Sequence, residues 1–318
     1  MFKDIDNVPS SHRYSHISCD YIELLALVNN SDIFSIEDIR DRFFEDGEIH
    51  VPENESDENL GSMVAETDEK WTSQILGWFN TLIIRQNLYS DFYPFIINTD
   101  TIQLKEELTN KHKLYLFLLL NSNLKYIKET SNLTADFEEL SLIAFTKYLP
   151  SSAKVYRFGK SMTANRYTGH ITKKINKLAE DLKFSPKYKP HFFDVNDNGD
   201  GGLDIVSWIP FDNDENQNNI QVFLGQCATG KEWNKKQWEP CKMTNYIDFQ
   251  ANPQNVIFIP YDGRNINREF EEEGRMLKNI YFDRIRLLYL LENEETLLNG
   301  LNSINIVNNA IEFQEDLV

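Results

Sequence analysis

The chain has 318 residues, 41% of them apolar and 13% aromatic, a composition of folded domains that excludes wholesale disorder. Its formal charge of −18 at pH 7 argues against a protein that coats nucleic acid along its whole length, because phosphate neutralisation needs Lys and Arg. Three cysteines (Cys19, Cys227, Cys241) form no CxxC pair and the six histidines form no HExxH, which excludes a disulfide framework and the common zinc signatures.

The charge is unevenly spread. Residues 1–100 carry 20 Asp/Glu against 6 Lys/Arg, whereas 151–195 carry 10 Lys/Arg against 3 Asp/Glu. An acidic front and a basic middle suggest separate tasks, although two ordinary solvated surfaces would look the same. No early stretch joins a basic start, an apolar run and a small-residue cleavage site, and the longest apolar run, 114–120, is too short for a bilayer. A reducing, cytoplasmic setting with no membrane is the expectation.

The first element is a short apolar helix, YIELLALV, over 21–28. Ser35 to Asp38 form a Ser-x-x-Asp start signal for a second helix, IRDRFF. Two helices across a polar turn would begin a helix-turn-helix or winged-helix unit. The second helix is acidic, however, so protein contact or a scaffold role is expected ahead of DNA reading. Residues 45–70 read as an acidic, turn-rich loop. Further helices follow at TSQILGWFNTLIIRQNL, at KLYLFLLL (apolar all round, hence buried) and at ADFEELSLIAFTKYL, which stops before Pro150. Residues 1–150 are thus expected to form an all-helical, acidic domain.

The pattern then changes. An amphipathic helix over 163–182 sets Ile171, Ile175, Leu178 and Leu182 on one face and Lys173, Lys174 and Lys177 elsewhere. Strands are expected at 191–195, 203–209, 220–226 and 255–261, and a long helix over roughly 268–292. The predicted fold class is α+β or α/β: the helical domain, then a domain over 151–318 with a small mixed sheet flanked by helices.

Residues 194–208, DVNDNGDGGLDIVSW, admit two readings. As a calcium loop, the stretch places Ile205 at the twelfth position when counted from Asp194, and Ser207 when counted from Asn196, so the bidentate acid is missing. As a metal-dependent hydrolytic site, it delivers Asp204 at the head of a strand, with Asp197 and Asp200 solvating the bend. Gly201 and Gly202 would let the backbone turn there. A hairpin through 212–219 brings Gln226, near Lys231 and Glu232, to the same sheet end, and Glu180 on the preceding helix is a candidate helper acid. Oxygen ligands and a lysine suit phosphodiester hydrolysis with Mg²⁺ or Mn²⁺. Trp233 and Trp238 are expected to pack in the core. Cys227 has no base named for it and reads as a buried thiol. Gly225 to Lys231 also match GxxxxGK, but Glu232 stands where a phosphate loop needs Ser or Thr.

GDGGLDIVSW followed by VFLGQCATGKEW resembles the restriction-endonuclease-like PD-(D/E)xK superfamily, in particular its Mrr-like branch, in which a GGxD strand precedes a strand bearing Gln-x-Lys. The resemblance covers roughly 155–292. It implies a DNA endonuclease with Asp204 and Gln226 as metal ligands and a lysine that positions water. Two residues beyond Gln226, where that lysine is expected, stands Ala228, so Lys231 is assigned the role. Lys173, Lys174, Lys177, Lys235 and Lys236 would hold the DNA backbone. A protein partner on the acidic domain, in a restriction or anti-phage setting, follows by analogy. A non-catalytic adaptor on the same scaffold, or a nucleotide-binding protein, are the alternatives.

Overall fold

A computed structural model of the chain describes all residues except 10–13, 30–32, 46–56, 160–165, 195, 198, 212–218, 231, 295 and 315–318; for 57–66 and 190 it describes the backbone alone. The chain divides into two compact units. The first holds Met1–Leu133, Tyr261–Glu273 and Glu294–Val318; the second holds Thr134–Pro260 and Gly274–Asn293. The division thus falls at 133 and not at 150, and the first unit takes back two later segments. Among the described residues no helix is long and apolar enough to cross a membrane.

The first unit runs α1 (Ser15–Val28), β1 (Phe34–Ser35), α2 (Ile36–Glu45), α3 (Asp57–Tyr89), β2 (Phe95–Ile97), β3 (Thr101–Leu104) and α4 (Asn110–Ser122). The Ser35–Asp38 start signal forms: Asp38 accepts from the Ser35 amide at 2.7 Å, and the Asp38 amide donates to the Ser35 hydroxyl at 3.2 Å. α4 is central, with Leu114 through Leu120 fully buried. The all-helical expectation fails here, because β1, β3 and β2 form an antiparallel sheet in that order. Its strands have two to four residues, too short for a period-2 pattern to register. The order is helix–strand–helix–helix–hairpin, with β1 beside β3. Part of the acidic stretch read as a loop is the start of α3, while 46–56 lie outside the described residues.

Charge is buried in this unit, and it is paired. Arg85, fully buried, donates to Asp20 at 2.7 Å and Glu23 at 3.0 Å, and Glu23 accepts from the Tyr93 and Tyr115 hydroxyls at 2.9 Å. Segment 261–273 joins the same network. Asp262 accepts from both terminal nitrogens of Arg268, at 3.1 and 3.2 Å, and lies 3.7 Å from Arg85 Nε. Glu271 accepts from the Ser15 amide at 2.9 Å and meets the His16 ring at 2.5 Å.

The second unit contains most of α5 (Ser131–Tyr148), then β4 (Lys154–Arg157), α6 (Ile171–Leu182), β5 (Ser185–Pro186), β6 (Ile205–Ile209), β7 (Gln221–Cys227), α7 (Trp233–Lys236), β8 (Ile247–Asp248), β9 (Gln254–Phe258), β10 (Ile280–Phe282) and α8 (Arg284–Leu290). The chain ends in the first unit with α9 (Ile304–Glu312). A five-stranded mixed sheet has the order β10-β9-β7-β6-β4; β4, β6 and β7 are antiparallel neighbours, and β7, β9 and β10 are parallel. This is the α+β architecture expected, a small mixed sheet flanked by helices. Alternation along β7 sends Val222 and Leu224 into a core with Ile171, Ile175, Leu178 and Leu182 of α6. Phe223 points the other way, to Phe145 of α5, whose ring also meets Phe258 and Phe282 edge-on at 5.5 and 5.7 Å.

Two expected elements are absent from the described structure. Of the strand expected over 191–195, residues 191–194 are not a strand, since Pro190 opens a 3₁₀ turn through Phe192, and 195 lies outside the described residues. The long helix over 268–292 is replaced by β10 and α8. Ile280, Tyr281 and Phe282 pair in register with Val256, Ile257 and Phe258, and the Asp283 side chain caps the Arg286 amide at 3.2 Å. β-branched and aromatic residues beside a buried parallel strand outweigh the helical spacing of Met276, Leu277 and Ile280.

Candidate metal centre

The centre begins with the bend read from the sequence. Asp197 Oδ1 accepts from the Gly199 amide and Asp200 Oδ1 from the Gly202 amide, both at 2.8 Å, giving two successive Asx turns. Gly201 and Gly202 have φ of +65° and +83°, and a Cβ on Gly202 would stand 2.7 Å from Glu239 Cβ. The helices that a paired calcium-loop motif needs are not at its flanks, since the stretch runs directly into β6.

Asp204 emerges from this bend with 5% of its surface exposed. Its amide donates to Gly225 O at 2.9 Å, and its carbonyl accepts from the Phe158 amide at 2.7 Å, so its backbone is clamped between the ends of β4 and β7. Oδ2 accepts from the Cys227 amide and from Gln226 Nε2, each at 2.7 Å. The hairpin expected to join Asp204 and Gln226 does so.

A third group comes from α5. Arg157 Nη2 lies 3.2 Å from Glu138 Oε2, Nη1 donates to Glu139 at 3.3 Å, and Nη2 donates to Ala135 O at 2.5 Å. Above Gly159, the position that a Cβ would fill is 3.2 Å from Asp204 Oδ1 and 3.6 Å from Glu138 Oε2. The two carboxyl oxygens therefore converge on one cradle that only a glycine leaves open. Gln226 Oε1 is buried and lacks a hydrogen-bond partner among the described residues, while Glu138 Oε2 is held by its ion pair with Arg157. Carboxylate and amide oxygens are the donors a hard divalent cation selects, so these residue types fit Mg²⁺ or Mn²⁺. The described residues hold no group of three or more His, Cys, Asp or Glu arranged for a metal, so the set is two carboxylates and an amide oxygen.

The electrostatics agree with the geometry. Burial, then the charge of Glu138, raises the Asp204 carboxyl well above its usual range, against the opposing bond from the Cys227 amide. Burial lifts Glu138 from 4.5 to about 7 despite Arg157, and Asp200 adds to the rise. The exposed Lys236 lowers both, which makes it a cation whose field reaches the pair. Burial, and next the Asp204 charge, hold the Cys227 thiol far from thiolate, in keeping with an inert cysteine.

The other residues singled out in the sequence fall elsewhere. Glu180, the candidate helper acid, is exposed and pairs with Lys177 at 2.9 Å; the acid beside Asp204 is Glu138. Lys231 lies outside the described residues, and Ala228 at the motif position is fully buried. Lys174 is 4% exposed and donates to Gly199 O at 3.0 Å, Lys177 also pairs with Asp181, and Lys235 pairs with Glu232, so none of these three presents an uncommitted charge. Trp233 packs on Tyr281 as a core residue, whereas Trp238, expected in the core, is 60% exposed. The helix after Gly225–Lys231 has four residues, too short for the phosphate-loop arrangement.

Glu138 escaped the sequence reading because Asp136, Glu138 and Glu139 together look like a solvated face. A signal was present: Glu138 shares its helical face with Ser141 and Phe145, three and seven residues on, and both are fully buried. Comparison of the chain with protein-family profiles, curated proteins and solved structures gives no match.

Proposed function

We propose that the second unit is a metal-dependent phosphodiesterase acting on DNA, a nuclease of the PD-(D/E)xK kind that works in the cytoplasm. The observation that carries this reading is the approach of the Asp204 and Glu138 carboxyls at the Gly159 cradle, with the Gln226 amide bonded to Asp204 beside them. Glu138 and Asp204 would hold a divalent ion through carboxylate oxygens, with Gln226 Oε1 as the third donor. When bound, the ion supplies Lewis-acid stabilisation of charge developing on a phosphate. The Cys227 amide and the Gln226 amide group fix the orientation of the Asp204 carboxyl. Arg157 holds Glu138 toward the cradle. Lys236, an exposed cation whose field lowers both acids, is a second candidate beside Lys231 for the charge-stabilising role.

The buried Ala228 at the motif's lysine position supports a second reading, an adaptor that keeps the scaffold and has lost turnover. In either case the acidic first unit would offer a surface for a protein partner, as in a subunit of a defence system. Cleavage of supercoiled plasmid in Mg²⁺, Mn²⁺ or EDTA separates the two readings. A nuclease cuts only with metal and loses at least 100-fold in rate in Asp204→Ala and Glu138→Gln, on the order of one transition-state charge contact. An adaptor cuts in no condition, with or without a co-purified partner.

A further inference from the structure

The basic segment 151–195 contains more cations than the structure uses internally. Arg157 is taken by Glu138 and Glu139, Arg166 by Asp181 at 2.5 Å, Lys174 by Gly199 O, and Lys177 by Glu180 and Asp181. Lys173, Lys187 and Lys189 are different: each is exposed, and none pairs with a carboxylate of the described residues. In a chain of net charge −18, an unneutralised group of this kind is a local reversal of sign.

One tyrosine ties the segment carrying Lys187 and Lys189 to α6, which carries Lys173. The Tyr188 hydroxyl donates to Asn176 Oδ1 at 2.8 Å and lies 3.3 Å from Thr172 O, which holds that segment against the turn of α6 that carries Lys173. The Lys187 amide donates to Tyr246 O at 2.9 Å, and β5 pairs with β8, fixing the segment from its other side. Tyr188 also packs on Phe193 at 5.4 Å. Next along the chain stands Phe192, 58% exposed, its ring edge-on to His191 at 4.9 Å. A phenyl ring displayed to water beside fixed lysines has no packing role to explain it, and the same chain segment then turns directly into the bend that delivers Asp204.

We propose that Lys173, Lys187, Lys189, His191 and Phe192 bind a single-stranded segment of nucleic acid, the lysines lying along its phosphates and Phe192 stacking on an unpaired base. This inference rests on the nuclease reading for its substrate class and refines it to strands with an unpaired stretch. Base–aromatic stacking needs an accessible π-face, which a duplex hides and a single strand offers. Lysines without partners supply the counterion-releasing contacts that make such binding salt-dependent.

The test is fluorescence anisotropy of a labelled 20-nucleotide dT strand with full-length protein in EDTA, beside a hairpin duplex. The Lys187→Glu/Lys189→Glu double variant should bind dT at least about tenfold more weakly and flatten the log–log salt slope by about 1.4, two single-strand phosphate contacts. Phe192→Ala should weaken dT binding by about tenfold and duplex binding by less than about threefold. Asp204→Ala should bind dT as wild type does, so lost cleavage with intact binding bears on the nuclease reading alone. Wild type that ignores dT, or a double variant that binds it equally well, overturns the inference. Capture by phosphatidylserine vesicles without dT binding overturns it in favour of an anionic membrane surface.

Discussion

Replacing Glu138 by Gln should stabilise the metal-free protein at alkaline pH, as expected of a group positioned for chemistry and not for folding. Burial lifts this carboxyl from 4.5 to about 7. The native state therefore holds the proton more tightly than the unfolded chain. Its penalty is absent below pH 4.5, grows between 4.5 and 7, and is complete above that range. At 1.36 kcal/mol per unit the full penalty is about 3 kcal/mol. Gln keeps the shape and removes the charge, but it also gives up the 3.2 Å ion pair with Arg157, which retains Glu139 and Ala135 O. The rise to about 7 is already net of the attraction of Arg157, so the variant should gain about 3 kcal/mol at pH 8.5 and nothing at pH 4.5. Urea unfolding in EDTA across that range reads the difference directly. A difference that does not change with pH, or a wild type more stable than the variant at pH 8.5, refutes the reasoning.

Three further perturbations probe the rest of the molecule. Arg85→Met strands Asp20, Glu23 and Asp262 without their shared cation, and should cost about 3–5 kcal/mol in urea unfolding. Glu271 sits against the cost of burial at about 2, drawn down by its bonds from His16 and Ser15. The stability it confers is present above pH 4.5 and lost as pH falls toward 2, so Glu271→Gln should flatten the acid limb of an unfolding titration by about 2 kcal/mol after solvent screening. Gly202→Ala adds a Cβ at φ +83°, 2.7 Å from Glu239 Cβ, and should lower stability by about 2 kcal/mol or more; a neutral result by thermal denaturation would mean that the bend is not as tight as described.

Much of the second unit was legible because its signals are local. The α6 face of Ile171, Ile175, Leu178 and Leu182 repeats at helical spacing, and β6 and β7 are apolar runs divided by a polar loop. The pairing of Asp204 with Gln226 followed from hairpin geometry alone. Glu138 did not, because its role depends on α5 crossing the sheet end from 66 residues upstream, and no periodicity encodes that crossing. Segment 261–273 failed for a related reason. Its Asp262, Arg268 and Glu271 look like ordinary surface charges until Arg85 and His16, far away in sequence, are placed against them. β10 was lost inside a helical pattern because three residues beside a parallel neighbour leave too short a trace.

The claim beneath the functional reading is that Asp204, Glu138 and Gln226 form a divalent-cation site. Isothermal titration of the full-length protein with Mn²⁺ at pH 7.5 tests it without requiring turnover. Saturable binding of one ion, abolished by Asp204→Asn and weakened at least about tenfold by Glu138→Gln, is the predicted result. Absence of saturable binding, or binding that survives Asp204→Asn unchanged, would contradict it.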